Sequence, residues 1–284
     1  MKSKIRSVFS VLVCIILVFV IIGTIGVIMA DKLYSAQYFR DQADKTNTYE
    51  NAYNALIKEF SDNYSVSNIP AEIYEKSFTK EWMRNAIDEK INSTFEKREA
   101  NVDCSAVEKN ITEYFENYAH EAHVMKDQTY DKKLAESISY AEKTAMNAAD
   151  VYSLDVMKRA GITAKVSSYV ELARKYMYPR LGLVIVLLVI LIILKRPFYW
   201  TGTALFASGV LMTVPTAVVL LNDMVHRFSL KDYTTYNLVT GVLSSVNRTV
   251  LMTGIVMLLI GLTMIVISIV YNRNTHVVNG EKIS

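Results

Sequence analysis

The residues best suited to chemistry form one group, Glu113, Glu116, His120, His123 and Asp127, which recur at spacings of three or four. Imidazole and carboxylate groups spaced in this way on one helix can bind Zn²⁺ or another divalent cation. The same spacing is also typical of a solvated helix face, and the sequence contains no His-Glu-x-x-His signature. We therefore predict no metal site and no cofactor, with Glu116, His120, His123 and Asp127 as the candidate ligands if one exists.

Two further features of the sequence could have a chemical role. Cys104 follows Asp103 near a predicted helix start, where the helix dipole would favour a thiolate, although a lone cysteine beside a carboxylate is more often inert. The pair His120 and His123 could instead respond to pH, because imidazole titrates near about 6.5. No Gly-rich phosphate loop, Gly-x-Ser-x-Gly elbow or paired-cysteine spacing is present. We predict that the chain is not an enzyme.

A helix from Ser105 to about Met125 must carry these groups. Ser105 and Glu108 have the spacing of a capping box, and apolar residues recur on one face of the segment. Comparable helical patterns are predicted at 31–64, after Pro70 through 76, at 79–97 and at about 131–160, with Gly161 interrupting before a last amphipathic stretch. No run alternates in the way that strands require, so the segment is predicted to be all-α.

Tyrosine is abundant in this segment. Tyr49, Tyr53, Leu56, Phe60 and Tyr64 form one stripe of a helix, and most of the 18 tyrosines of the chain lie in the same segment. We expect their rings to pack in a core while their hydroxyls reach solvent or partners. The alternative is a tyrosine-rich binding surface.

Four apolar blocks have the length of one membrane crossing, about 20 residues. They are Val8–Ala30, Met177–Leu194, Phe198–Leu221 and Val250–Tyr271, and the run Leu181–Leu194 in the second block is uninterrupted. The first block is longer than the apolar part of a secretory signal, about 7–15 residues, so it is interpreted as an uncleaved signal anchor. The predicted fold is an all-α, four-span helical membrane protein with an extracytoplasmic α-helical domain between spans 1 and 2.

The predicted organisation follows from these blocks. It consists of a basic N-terminus with transmembrane helix 1 (1–30), the extracytoplasmic helical domain (31–176), transmembrane helix 2 (177–195), a cytoplasmic hairpin with transmembrane helix 3 (196–221), an outer loop (222–249), transmembrane helix 4 (250–271) and a cytoplasmic tail (272–284). The outer loop is predicted to contain a helix that either lies in the membrane interface or docks under the outer domain.

Charge predicts the orientation. The segments before span 1, between spans 2 and 3 and after span 4 carry seven basic residues and one acidic residue, whereas 31–179 carries 20 basic and 25 acidic residues, a net charge of −5. Short cytoplasmic segments are enriched in Lys and Arg, so both termini are predicted to be cytoplasmic. An acidic outer domain excludes nucleic acid as its partner, because phosphate binding needs a basic patch. The lack of cysteine pairs favours a bacterial plasma membrane.

The predicted function is non-catalytic. The outer domain senses or binds a partner and is coupled to the membrane helices, which contact lipid and either other membrane proteins or further copies of the chain. The alternative is a permease-like component that works with a separate ATPase, whose docking surface is formed by Lys195, Arg196, Pro197 and Phe198. A large outer domain after span 1 followed by three closely spaced spans is similar in layout to the FtsX and MacB class of permease-like proteins. The likeness includes no motif, and the strands in the outer domains of that class are not predicted here.

The orientation can be tested with a membrane-impermeant thiol label on intact cells. In a variant whose two cysteines are replaced, we expect Asn101→Cys to be labelled and Ser284→Cys to remain unlabelled until the cells are permeabilised. Labelling of position 284 alone on intact cells would invert the predicted topology.

Overall fold

The computed structural model describes residues 2–64, 69–194, 196–227 and 233–278, and it contains no strand within those ranges. The predicted all-α class is therefore confirmed. The helices are α1 (Lys2–Leu33), α2 (Ala36–Lys45), α3 (Thr48–Asp62), α4 (Ala71–Ser77), α5 (Lys80–Phe95), α6 (Ser105–Glu121), α7 (Gln128–Ala149), α8 (Leu154–Arg159), α9 (Ile162–Lys175), α10 (Met177–Ile193), α11 (Pro197–Leu221) and α12 (Tyr233–Val278). A short 3₁₀ helix, Met224–His226, follows α11.

The chain divides into two compact units. One, here called the charged unit, comprises Ser35–Val166 with Leu230–Gly241, and the other, here called the apolar unit, comprises Met1–Tyr34, Ser167–Ser229 and Val242–Ser284. The division passes through α12, whose first turns belong to the charged unit and whose remaining turns belong to the apolar unit.

The charged unit packs its helices around one continuous core. The largest side chains with almost no exposed surface include Leu56, Phe60, Met83, Ile87 and Ile111, from α3, α5 and α6. The starts of α5 and α7 are each capped by a side chain. The side chain of Thr79 accepts a hydrogen bond from the backbone N–H of Trp82, and that of Asp127 accepts one from the backbone N–H of Tyr130.

Two predicted helices of this unit are interrupted. The predicted helix 31–64 is broken before α3, where Asn47 has a φ of 52°, and the predicted helix 131–160 ends at Ala149, with Ser153 at a φ of 53°. Left-handed backbone at a residue other than glycine stops a helix locally without changing the apolar periodicity around it. The predicted capping box is also wrong, because Cys104 is the N-cap of α6 and Asp103 Oδ1 accepts from the Ser105 N–H.

The apolar unit brings α1, α10 and α11 together. Leu17, Leu191 and Ala204 are fully buried where these helices meet. Arg6 Nη2 donates to the carbonyl of Ile193 at 2.7 Å, at the C-terminal end of α10. At the other end of α1, the guanidinium of Arg174 pairs with the carboxylate of Asp31. These two contacts show that α1 and α10 run in opposite directions.

Among the described residues, three helices are long and apolar enough to cross a membrane: Ile5–Leu33, Pro197–Leu221 and Thr235–Asn272. The predicted second span corresponds to α10, which has 17 residues and follows α9 after a bend of 41°. It becomes a fourth candidate when α9 and α10 are taken as one broken span.

The last helix differs from the prediction because it is continuous. The interval 222–249 was predicted to be a loop with a separate helix, but α12 extends for 46 residues without a break from Tyr233. Leu238, near its start, is fully buried in the core of the charged unit. An added Cβ at Gly241 would lie 2.6 Å from the Thr46 methyl. This arrangement favours the docking interpretation of the segment over the interfacial one.

Within the apolar unit, α11 and α12 approach through glycines spaced by seven residues. A Cβ added at Gly202 would lie 2.9 Å from the Gly261 carbonyl oxygen, and one at Gly209 would lie 2.8 Å from that of Gly254. Close approach of this kind is typical of membrane helices, whose association depends on packing rather than on the hydrophobic effect.

We expect Gly209→Leu to separate α11 from α12 and to destabilise the protein by about 1–3 kcal/mol or more, because its side chain would meet backbone. Thermal loss of helical circular dichroism in mild detergent would measure the change. Gly26→Leu is the matched control, since a Cβ at Gly26 meets nothing within 4 Å. Equal melting temperatures for the two variants would contradict the observed packing.

Candidate functional site

The charged unit contains an open cleft of about 830 Å³, within the range of about 300–1,000 Å³ typical of ligand pockets. Its lining is dominated by aromatic rings, with a few polar groups. The lining residues are Asn63, Tyr64, Ile69, Tyr74, Tyr114, Phe115, Tyr118, Lys133, Glu136, Ser137 and Tyr140.

The floor of the cleft is buried. Tyr74 of α4 has no exposed surface, and its ring stacks on that of Phe60 with centroids 3.9 Å apart and planes 7° from parallel. Ile69 is 1% exposed beside it. The ring of Tyr140 meets Phe60 edge-on at 6.2 Å. The floor therefore belongs to the core of the unit, and we expect it to keep its shape when the cleft is empty.

Two helices form the walls through simple spacing. Tyr114 and Tyr118 lie four residues apart on α6, and Lys133, Glu136, Ser137 and Tyr140 follow the three-and-four spacing of one face of α7. Tyr118 is 57% exposed, so its ring is available for contact. The ring of Phe115 meets the ring of Tyr114 edge-on, with centroids 6.1 Å apart.

The polar groups of the cleft differ in their partners. Asn63 Nδ2 donates to the Tyr140 hydroxyl at 3.1 Å, and Glu136 lies 3.8 Å from Lys132 across one turn of α7. Lys133 has no ion-pair partner in the described part of the chain. The cleft therefore combines aromatic rings, hydroxyl groups, the Asn63 amide, the Glu136 carboxylate and the ammonium group of Lys133.

Burial keeps the tyrosine hydroxyl of the α6 wall protonated. Desolvation raises the pKa of Tyr114 above its usual value, and the neighbouring Tyr64 and Tyr118 raise it further. At neutral pH Tyr114 is therefore a neutral hydrogen-bond donor. An aromatic surface with tyrosine hydroxyls, a carboxylate and an ammonium group suits the non-covalent binding of a partner side chain or peptide.

The candidate metal ligands do not share one helix face. Glu116 and His120 lie on α6, but the helix ends at Glu121, and His123 adopts a left-handed φ of 52°. Asp127 caps α7 instead, and Glu116 lies 3.5 Å from Lys126. Within the described ranges, no three His, Cys, Asp or Glu side chains are arranged to hold a metal ion.

Cys104 has the opposite environment from that of an activated thiol. Its position at the N-cap of α6 matches the predicted helix start within one residue. Burial raises the pKa of its thiol, and the charges of Glu142 and Asp103 raise it further. The thiol form is therefore favoured over the thiolate that the helix dipole alone would favour.

The candidate docking residues lie in the apolar unit. Lys195 falls outside the described residues. Arg196 has a left-handed φ of 65° and precedes α11, Pro197 occupies the first turn of that helix, and Phe198 is 61% exposed. Helix α10 ends at Ile193 and α11 begins at Pro197, so the predicted hairpin falls on an interval that includes the undescribed Lys195.

Together these features define a class: an all-helical protein with a charged, cleft-bearing unit and at least three helices that could cross a membrane. Comparison with protein families, curated proteins and solved structures found no match.

The sequence indicated the tyrosines of the cleft but not the cleft itself. Tyr114 and Tyr118 both lie on the helix predicted from Ser105 to about Met125. Lys133 and Glu136 were not singled out. Their three-residue spacing and their position one to two turns before Tyr140 on α7 were the available signal.

We expect the floor and the wall of the cleft to respond differently to truncation. Tyr74→Ala should destabilise the protein by about 3–5 kcal/mol, because it empties a fully buried site. Tyr118→Ala should change stability by less than about 0.5 kcal/mol, as for other exposed positions. Chemical denaturation of the full chain in mild detergent, followed by tyrosine and tryptophan fluorescence, would measure both. A large loss for Tyr118→Ala would show that its ring is part of the core.

Proposed function

We propose that this chain is a non-catalytic, four-span protein of the bacterial plasma membrane with both termini in the cytoplasm. Its charged unit lies outside the membrane, binds a partner in the tyrosine-lined cleft and couples the bound state to the membrane helices. The observation that carries the proposal is an aromatic cleft with a buried floor, in a unit that shares one continuous helix with the apolar unit.

The composition of the cleft supports a macromolecular partner. Tyrosines present large, rigid contact surfaces at low cost in conformational entropy, and they are enriched where proteins bind one another. Tyr118 and Tyr64 remain more than half exposed in this structure. The free ammonium of Lys133 favours a partner with an acidic or carbonyl-rich segment at that wall.

The distribution of basic residues supports the orientation. Arg6 and Arg196 lie at the same end of the apolar unit, where Arg6 contacts the C-terminal end of α10 and Arg196 precedes α11. An excess of basic residues marks the cytoplasmic side of a membrane protein. The charged unit begins at Ser35, beyond the opposite end of α1.

The coupling is supported by the contacts of α12. Leu238 contributes to the core of the charged unit, while Gly254 and Gly261 contact the backbone of α11 in the apolar unit. A displacement of the first turns of a continuous helix is transmitted along it, because each turn is hydrogen-bonded to the next. A cytoplasmic signal would then pass to another protein through the hairpin before α11 or the tail.

Site-directed photo-crosslinking in living cells tests the proposal. A benzophenone amino acid at position 118 should form an adduct with a specific partner, and Lys133→Glu in the same chain should reduce its yield several-fold. The same probe at position 125 is the control, because Met125 is 84% exposed in the same unit but does not line the cleft. Indistinguishable adducts from both positions, insensitive to Lys133→Glu, would rule out the cleft as the partner site.

The second candidate function is a permease-like component paired with an ATPase. The exposed ring of Phe198 beside Arg196 favours it, since an aromatic and a basic residue together are typical of docking surfaces. Affinity purification of the chain in mild detergent after crosslinking distinguishes the two candidate functions. Co-recovery of an ATPase that is lost with Phe198→Ser favours the permease-like function, whereas an adduct at position 118 without an ATPase favours the sensor.

A further inference from the structure

A groove of about 440 Å³ lies between α1 and α10 in the apolar unit. Its walls are apolar except for one cation, and its lining consists of Ile16, Phe19, Val20, Gly23, Arg180 and Leu183. Both helices belong to the part of the chain proposed to contact lipid, and the exposed side chains of Ile16 and Phe19 leave the groove accessible from outside the protein.

Arg180 lies at one end of this groove. Because α1 and α10 run in opposite directions, Arg180, in the first turn of α10, is level with Gly23 rather than with Ile16. From Gly23 to Ile16 the groove extends over two turns of α1, about 10 Å at 1.5 Å per residue. This geometry places a positive charge at the mouth of an apolar channel.

The guanidinium of Arg180 has no ion pair or side-chain hydrogen bond within the described residues. The neighbouring Arg174 differs, because its guanidinium is paired with Asp31. An arginine near the hydrocarbon boundary is costly unless an anion or the polar interface meets it. The planar guanidinium is particularly suited to the two oxygens of a phosphate.

Gly23 keeps the channel open. A Cβ at this position meets nothing within 4 Å, so the glycine is not required for packing between helices. A methyl group there would not displace protein atoms. The exposed ring of Phe19, at 69%, forms the other apolar boundary.

We propose that this groove binds an anionic phospholipid, with the headgroup phosphate on Arg180 and an acyl chain along Gly23, Phe19 and Ile16. The inference rests on the proposed membrane location and not on the tyrosine-lined cleft. The bound lipid would fix the distance between α1 and α10 at the Arg180 end of the groove, the same end at which Arg174, just before α10, pairs with Asp31 of α1.

Native mass spectrometry of the full chain, released from mild detergent with added lipid, tests the proposal. Phosphatidylglycerol should be retained about tenfold more strongly than phosphatidylcholine with the same acyl chains, because both carry a phosphate but the cationic choline of the second lipid is repelled by Arg180. Arg180→Gln should remove that preference. Gly23→Leu should reduce the retention of both lipids, because its side chain fills the channel while the charge remains.

Two controls separate this site from general lipid contact. Lys175→Gln removes the same charge from α9 and should leave the preference unchanged, and Gly182→Leu adds the same side chain at another open glycine outside the groove. Circular dichroism verifies that each variant is folded, and Gly23→Leu tests the channel even if Arg180→Gln does not fold. Equal loss with Lys175→Gln, equal retention of the two lipids, or displacement of phosphatidylglycerol by inorganic phosphate would each overturn the proposal. None of these outcomes would alter crosslinking at position 118.

Discussion

The length of α12 is the constraint on which the rest of the structure depends. At 1.5 Å per residue its 46 residues extend for about 69 Å, whereas about 20 residues are enough to cross a hydrocarbon core of about 30 Å. The remaining turns need other partners. The first of them obtain these partners from the charged unit, where Leu238 is fully buried and Gly241 lies against Thr46. A single helix thus contributes Leu238 to the core of the charged unit and packs against α11 in the apolar unit.

The tyrosine-lined cleft shows how one residue type can serve both a core and a binding surface. Tyr74 is fully buried and stacked on Phe60, whereas Tyr118, on the wall, exposes more than half of its surface. The two roles differ only in which helix face carries the ring and how near that face lies to the edge of the unit. The core and binding-surface interpretations of these tyrosines are therefore both represented, at different positions.

Much of the fold could be predicted because it depends on composition and periodicity. The apolar blocks, the helix that Thr79 starts and the interruption at Gly161 follow from local residue types. The breaks near Asn47 and Ser153 could not be predicted, because a left-handed residue other than glycine leaves no mark in the spacing of apolar residues. The other helix ends that lie at a left-handed residue other than glycine could not be predicted for the same reason.

The candidate sites illustrate the same limit. The candidate metal ligands would share one helix face only if the helix continued through Asp127. It does not, because His123 has a left-handed backbone. For α12 the prediction differs in the opposite way, because the helix is continuous where a loop with a separate helix was predicted. Its polar first turns are helical where Leu238 is buried in the core of the charged unit. Arg180 lies between Pro179 and the uninterrupted apolar run, and its role could not be predicted because it depends on the groove beside it.

The glycine contacts between α11 and α12 restrict the kind of motion that these helices can make. Gly202 and Gly209 are separated by seven residues, as are Gly254 and Gly261, so both contacts are lost together if one helix slides along the other. The next register that again places a glycine opposite a glycine is seven residues away, about 10 Å along the axis. Piston-like sliding is thereby penalised at every intermediate step. Tilting or pivoting about the glycine contacts keeps the backbones together, and it is the mode of movement that this helix pair permits.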